Sequence, residues 1–109
     1  MEKKEIYEVP IRTIKYLFYQ WKKDRPVARS LFLSKNDYGT YIAIDNTCCG
    51  FAINEFDSFD EALFWLCSKK IAPDDVYKLD KTVIRSFIDN CDYKINQINW
   101  VKNGLSFGC

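Results

Sequence analysis

Three short apolar runs follow one another between residues 27 and 56, and they limit what this chain can fold into more than any other feature. Val27–Ser34, Thr40–Asp45 and Phe51–Phe56 are rich in branched and aromatic side chains, and turn-forming residues bound each of them. The connections, Asn36-Asp37-Tyr38-Gly39 and Asn46-Thr47-Cys48-Cys49-Gly50, have hairpin length and carry a glycine for a positive φ. The pattern predicts a three-stranded antiparallel sheet. Leu31 and Leu33 share one phase and Ala28 and Phe32 the other; Tyr41 and Ala43 alternate likewise with Ile42 and Ile44. With apolar residues in both phases, cover is expected on more than one side of the sheet.

The segment after the third run carries the firmest helix signal. Ser58 and Glu61 form a Ser-x-x-Glu capping box directly before Ala62-Leu63-Phe64-Trp65-Leu66. Asp57, Asp60 and Glu61 fall at the start and Lys69 and Lys70 at the end, the charge order that suits a helix dipole. A helix over 59–69 is expected to close the sheet with Leu63, Leu66 and Cys67. Upstream, Ile11, Ile14, Leu17, Phe18 and Trp21 recur at three- and four-residue steps behind Pro10, which predicts a helix over 10–22. The alternation of Ile14, Tyr16 and Phe18 keeps a strand open as the rival. Downstream, Asp80 suits the N-cap of a helix over 81–91 through Val83, Ile84, Phe87 and Ile88. Ile95, Ile98 and Leu105 continue in near-heptad register, so one long helix with a homodimer seam competes with a break near Cys91–Tyr93 and a second short element.

The whole reads as one α+β domain over 1–109: a three-stranded antiparallel sheet packed by helices, in the order α-β-β-β-α plus a C-terminal helical element. Its core spans 10–91, and 92–109 form a C-terminal element. A chain of 109 residues has room for one hydrophobic core. No apolar run approaches the ~20 residues of a membrane helix, and Met1–Pro10 resembles neither a signal peptide nor a span. The five cysteines, Cys48, Cys49, Cys67, Cys91 and Cys109, are odd in number and irregular in spacing, which points to the reducing cytoplasm. Aromatic residues reach 17%, more than a core of this size takes up, so some rings are expected at an interface.

Chemistry is constrained by a missing residue, since the chain has no histidine. Ser–His and Cys–His nucleophile pairs, His-containing zinc sites and the usual general base near neutral pH are therefore beyond a single chain. The cysteines lack the paired Cys-x-x-Cys spacing of a thiolate zinc site, and no glycine-rich loop precedes a Lys-Ser or Lys-Thr pair. Asp57 with Glu61 and Asp74 with Asp75 are the carboxylate pairs a metal-dependent enzyme would draw on, but helix starts account for both. The expectation is a protein that is not an enzyme and takes no cofactor or metal.

Charge is segregated along the chain. Arg12, Lys15, Lys22, Lys23, Arg25 and Arg29 concentrate before residue 36, whereas 36–65 contain no Lys or Arg and collect Asp45, Glu55, Asp57, Asp60 and Glu61. A one-sign surface steers association with an oppositely charged partner. The acidic group is the candidate partner-binding surface; the basic group, interleaved with Tyr16, Tyr19 and Trp21, is the alternative, suited to nucleic acid. The order helix, three strands, helix resembles the double-stranded-RNA-binding domain. That family places a Lys-rich helix start on phosphates, where this chain has Asp57, Asp60 and Glu61, so its contact surface does not carry over. Residues 25–66, RPVARSLFLSKNDYGTYIAIDNTCCGFAINEFDSFDEALFWL, resemble small proteins of phages and mobile elements of low-GC Gram-positive bacteria, among them anti-defence inhibitors such as anti-CRISPR proteins. That resemblance implies an inhibitor that presents an acidic surface to a nucleic-acid-binding protein.

Overall fold

Five strands, not three, make up the sheet. In the computed structural model, which describes residues 3–47, 50–68 and 71–98, the chain runs β1 (Lys4–Glu8), α1 (Ile11–Lys22), β2 (Leu31–Lys35), β3 (Tyr41–Asp45), β4 (Ala52–Phe56), α2 (Phe59–Cys67), α3 (Pro73–Val76), α4 (Lys81–Asp89) and β5 (Tyr93–Gln97). The strand order is β4-β3-β2-β1-β5. The expected meander is present as β2, β3 and β4, paired antiparallel with Leu33 opposite Ala43 and Ala43 opposite Asn54. The correction lies beside it: β1 pairs parallel with both β2 and β5, so the α+β fold has a mixed sheet with β1 inside it.

The charged N-terminal segment can occupy an interior strand because its charges leave at the two rims. Only Ile6 and Tyr7 lie at its centre, and Ile6 is wholly buried. Lys4 Nζ donates to the Leu66 carbonyl at 3.3 Å at one end, and Glu8 accepts from Gln97 Nε2 at 2.9 Å at the other. Five residues with so little alternation carry almost no strand signal of their own; pairing on both sides supplies the backbone partners. β5 takes the second of the two C-terminal alternatives. Asn90 caps α4, and Ile95 and Ile98, which would have continued a helical seam, lie in and just after a strand. The seam is not formed as one helix over these residues, and Leu105 lies outside the described residues.

Both phases of the strands are covered. Phe32, Ile44 and Ala28 pack with Val9, Ile14 and Leu17 of the α1 side, while Ile6, Leu33, Ala43 and Phe56 pack with Leu63, Leu66, Ile84 and Ile88 of the α2 and α4 side. The α1 helix lies where the 3.6-residue period put it, with Pro10 as cap rather than first helical residue. The N-cap half of the expected capping box forms, with Glu61 N–H donating to Ser58 Oγ at 3.2 Å, and the Glu61 carboxylate accepts from the Ser58 hydroxyl at 3.0 Å. Asp80 caps α4 by accepting from the Thr82 N–H at 2.8 Å. The α2 helix ends at Cys67; Lys69 and Lys70, expected in its last turn, lie outside the described residues, as do Cys48 and Cys49. No described helix is long and apolar enough to cross a membrane.

Candidate functional site

Strand direction decides which charged residues meet. β1, β2, β4 and β5 end at one rim of the sheet, with Glu8, Lys35, Phe56 and Gln97, and β3 begins there with Tyr41. The α2 helix starts at that rim and brings the acidic residues with it. The α1 helix starts there too but finishes at the opposite rim, where Trp21 stacks on Phe51 with ring centroids 4.9 Å apart.

At the first rim, carboxylates surround Tyr77. This residue follows α3, and its hydroxyl donates to the Glu55 carbonyl at 2.7 Å while its ring packs 6.0 Å from that of Phe56. Burial pushes its phenol above the ordinary value, and the negative charges of Asp57, Glu61, Glu55 and Asp74 push it further in the same direction. Two of the four carboxylates are held in place: Glu55 accepts from Thr40 Oγ1 and Asn36 Nδ2, and Glu61 belongs to the capping box. Asp57 and Asp74 have no ion-pair or hydrogen-bond partner among the described residues and are exposed. The pole is thus an arc of charge around a phenol that is 46% exposed. Among the described residues no three or more Cys, Asp and Glu side chains converge as metal ligands would.

The acidic surface expected from sequence is only partly assembled. Glu55, Asp57 and Glu61 come together. Asp60 turns to Arg85 Nη1 at 3.3 Å, and that Arg also reaches Asp89 at 3.0 Å, so its charge is largely compensated. Asp45 stands at the far end of β3, roughly 13 Å along the strand from Tyr41 at ~3.3 Å per residue. There it accepts from Thr47 N–H at 3.1 Å and Thr47 Oγ1 at 2.6 Å. Asp74 and Tyr77 are the members that chain order did not assign to this surface. The Asp74–Asp75 pair was visible, but only the fold separates Asp74 at the pole from Asp75, which pairs with Lys78 at 3.5 Å.

The basic candidates divide as well. Arg12, Lys15, Tyr19 and Lys22 recur at three- and four-residue steps on the exposed face of α1. Lys22 Nζ lies 5.6 Å from the Phe18 ring centre, and Lys23 Nζ and Arg25 Cζ lie 5.7 and 5.9 Å from that of Tyr19. Asp24, at φ 56°, turns the chain there, letting the Arg25 N–H donate back to the Gln20 carbonyl at 2.9 Å. Tyr19 and Trp21 are 50% and 46% exposed beside these cations. No ion pair engages Arg12, Lys15, Lys22, Lys23 or Arg25 among the described residues. Arg29 leaves the group; it lines a separate cavity of about 1490 Å³ between the start of β1, the end of α2 and α4.

No protein-family model, curated protein or solved structure matches this chain. The double-stranded-RNA-binding likeness rested on chain order, and that order is extended by a strand before α1 and another after α4.

Proposed function

We propose that this protein is a non-enzymatic, cytoplasmic binding module that inhibits or regulates a nucleic-acid-binding protein by docking its acidic pole on that partner's basic surface. One observation carries the reading: Glu55 and Glu61 are fixed by hydrogen bonds, and Asp57 and Asp74 have no ion pair among the described residues, around a half-exposed Tyr77. Carboxylates held in advance lose little freedom on binding a cation, and a tyrosine at the centre of a patch supplies contact area at low entropic cost. The resemblance of residues 25–66 to phage and mobile-element proteins, anti-defence inhibitors among them, accords with it. The absence of histidine supports a non-enzymatic role, and turnover of a substrate by metal-free protein would overturn that part.

The test is affinity capture from the native host with the wild type and with a D57K/D74K variant, followed by mass spectrometry. Both positions are exposed and lie outside the capping box, so the variant keeps its fold. A nucleic-acid-binding protein recovered by the wild type and lost with the variant is the expected result; equal recovery removes the acidic pole from the function.

A second reading is favoured by the opposite rim, where cations with no ion pair among the described residues lie beside Tyr19 and Trp21: single-stranded nucleic acid stacking on the rings, with phosphates along α1. It requires retention on single-stranded RNA or DNA that weakens steeply with salt and disappears in a K22E/K23E/R25E variant.

A further inference from the structure

We propose that Cys67 and Cys91 form an oxidation site, at which peroxide converts the two thiols into an intramolecular disulfide that ties the end of α2 to the start of β5. This goes beyond the binding reading and does not depend on it.

The placement comes from the tertiary fold. Cys67 is the last residue of α2, buried in the core below the sheet; Cys91 follows the cap of α4, half-buried against the same cluster. Lys4 joins the two places: its backbone N–H donates to the Asp92 carbonyl at 3.0 Å and its ammonium donates to the Leu66 carbonyl at 3.3 Å. One residue thereby ties the neighbour before Cys67 to the neighbour after Cys91. Both thiols line the cavity of about 1490 Å³, together with Lys4, Leu31 and Phe87, so a small polar oxidant has a path to them. The two side chains are in hydrogen-bonding contact, Cys91 half-buried and Cys67 enclosed, which is the arrangement of an attacking and a resolving cysteine.

Burial pushes the Cys67 thiol up to about 12, contact with Cys91 adds to the rise, and the Lys4 ammonium opposes it. Cys67, the enclosed thiol that is harder to ionise, is therefore the second to react, and it gives up its proton as its sulfur attacks. In the first step the Cys91 thiolate attacks one peroxide oxygen; the S–O bond forms, the O–O bond breaks, and the departing hydroxide takes up the proton lost by Cys91 to give water. In the second, the Cys67 sulfur displaces the hydroxyl from the Cys91 sulfenic acid. The S–S bond forms, the S–O bond breaks, and the Cys67 proton leaves with the hydroxyl as a second water. Two thiols give up two electrons and one peroxide is reduced to two waters.

The test uses the full chain with all five cysteines present. It is treated with stoichiometric hydrogen peroxide, free thiols are alkylated, and non-reducing digests are mapped by mass spectrometry. The expected result is a Cys67–Cys91 linked peptide from monomeric protein. The melting temperature should rise by about 10 °C or more, as expected for a bridge closing a loop of this kind, and fall back with dithiothreitol. A C91S variant, altered at the half-buried position, should still fold and lose the shift. Recovery of Cys67 and Cys91 unlinked, over-oxidised, or bridged instead to Cys48, Cys49 or Cys109 overturns the proposal.

Discussion

Ser34 and Tyr77 show how a single polar atom takes its behaviour from what lies around it. Ser34 is 1% exposed in β2, on the face that also carries Phe32, and its hydroxyl has no hydrogen-bond partner among the described residues. An enclosed hydroxyl without a partner loses its hydration for no return. Ser34→Ala should therefore raise stability by about 1 kcal/mol, seen as a melting temperature several degrees higher; a loss of stability would mean that the hydroxyl is satisfied after all. Tyr77 keeps its bond to the Glu55 carbonyl, and its raised pKa favours the neutral phenol in the folded state. For a group raised on folding, the linked stability is complete below the unfolded value near 10 and is lost as pH climbs through the folded value. Asp57→Asn removes the largest of the charge contributions after burial, so the Tyr77 titration followed by NMR of ring-labelled tyrosine should move down in pH. A curve that stays in place would separate Asp57 from Tyr77 and dismantle the pole.

Elements differ in how much of their stability is local. The start of α2 is specified within four residues, and losing the Ser58 hydroxyl leaves the Glu61 N–H without its acceptor. Ser58→Ala should cost about 1 kcal/mol in denaturant unfolding with the sheet intact. β1 is the opposite case. Nothing in Lys4–Glu8 compels a strand, and its place between β2 and β5 rests on long-range pairing and on Ile6 filling the core against α2 and α4. Ile6→Ala should cost roughly 2–5 kcal/mol, the range for a truncated core residue. A cost near zero in urea unfolding would return the N-terminal segment to a frayed tail and restore the three-stranded sheet.

At the scale of the whole molecule, a formal charge of +1 conceals a local separation of charge, with the carboxylates around Tyr77 at one rim and Lys22, Lys23 and Arg25 at and just past the end of α1 at the other. A field divided in this way orients an incoming partner before contact and is screened over about 10 Å at ordinary ionic strength. Under the proposed function, association of the wild type with a partner recovered by capture should slow by roughly ten-fold or more from low to physiological salt, while the D57K/D74K variant should lose that dependence. Stopped-flow or surface-based kinetics provide the measurement, and a salt-independent wild-type rate would remove electrostatic steering from the mechanism.

Local patterns were enough to read α1, the capped starts of α2 and α4, and the hairpin-linked trio β2, β3 and β4, because period, caps and turn residues act within a few positions of one another. The absence of histidine, and the chemistry it removes, is likewise complete in the chain itself. Chain order could not reveal β1 and β5, whose weak alternation becomes strand only when each is the other's partner. Nor could it show that Asp60 is compensated by Arg85, that Asp45 belongs to the far rim, or that Tyr77 and Asp74 complete the acidic arc. Those outcomes depend on which distant segments meet, and a parallel pairing between residues near the two ends of the chain is a property of the assembled core rather than of any stretch within it.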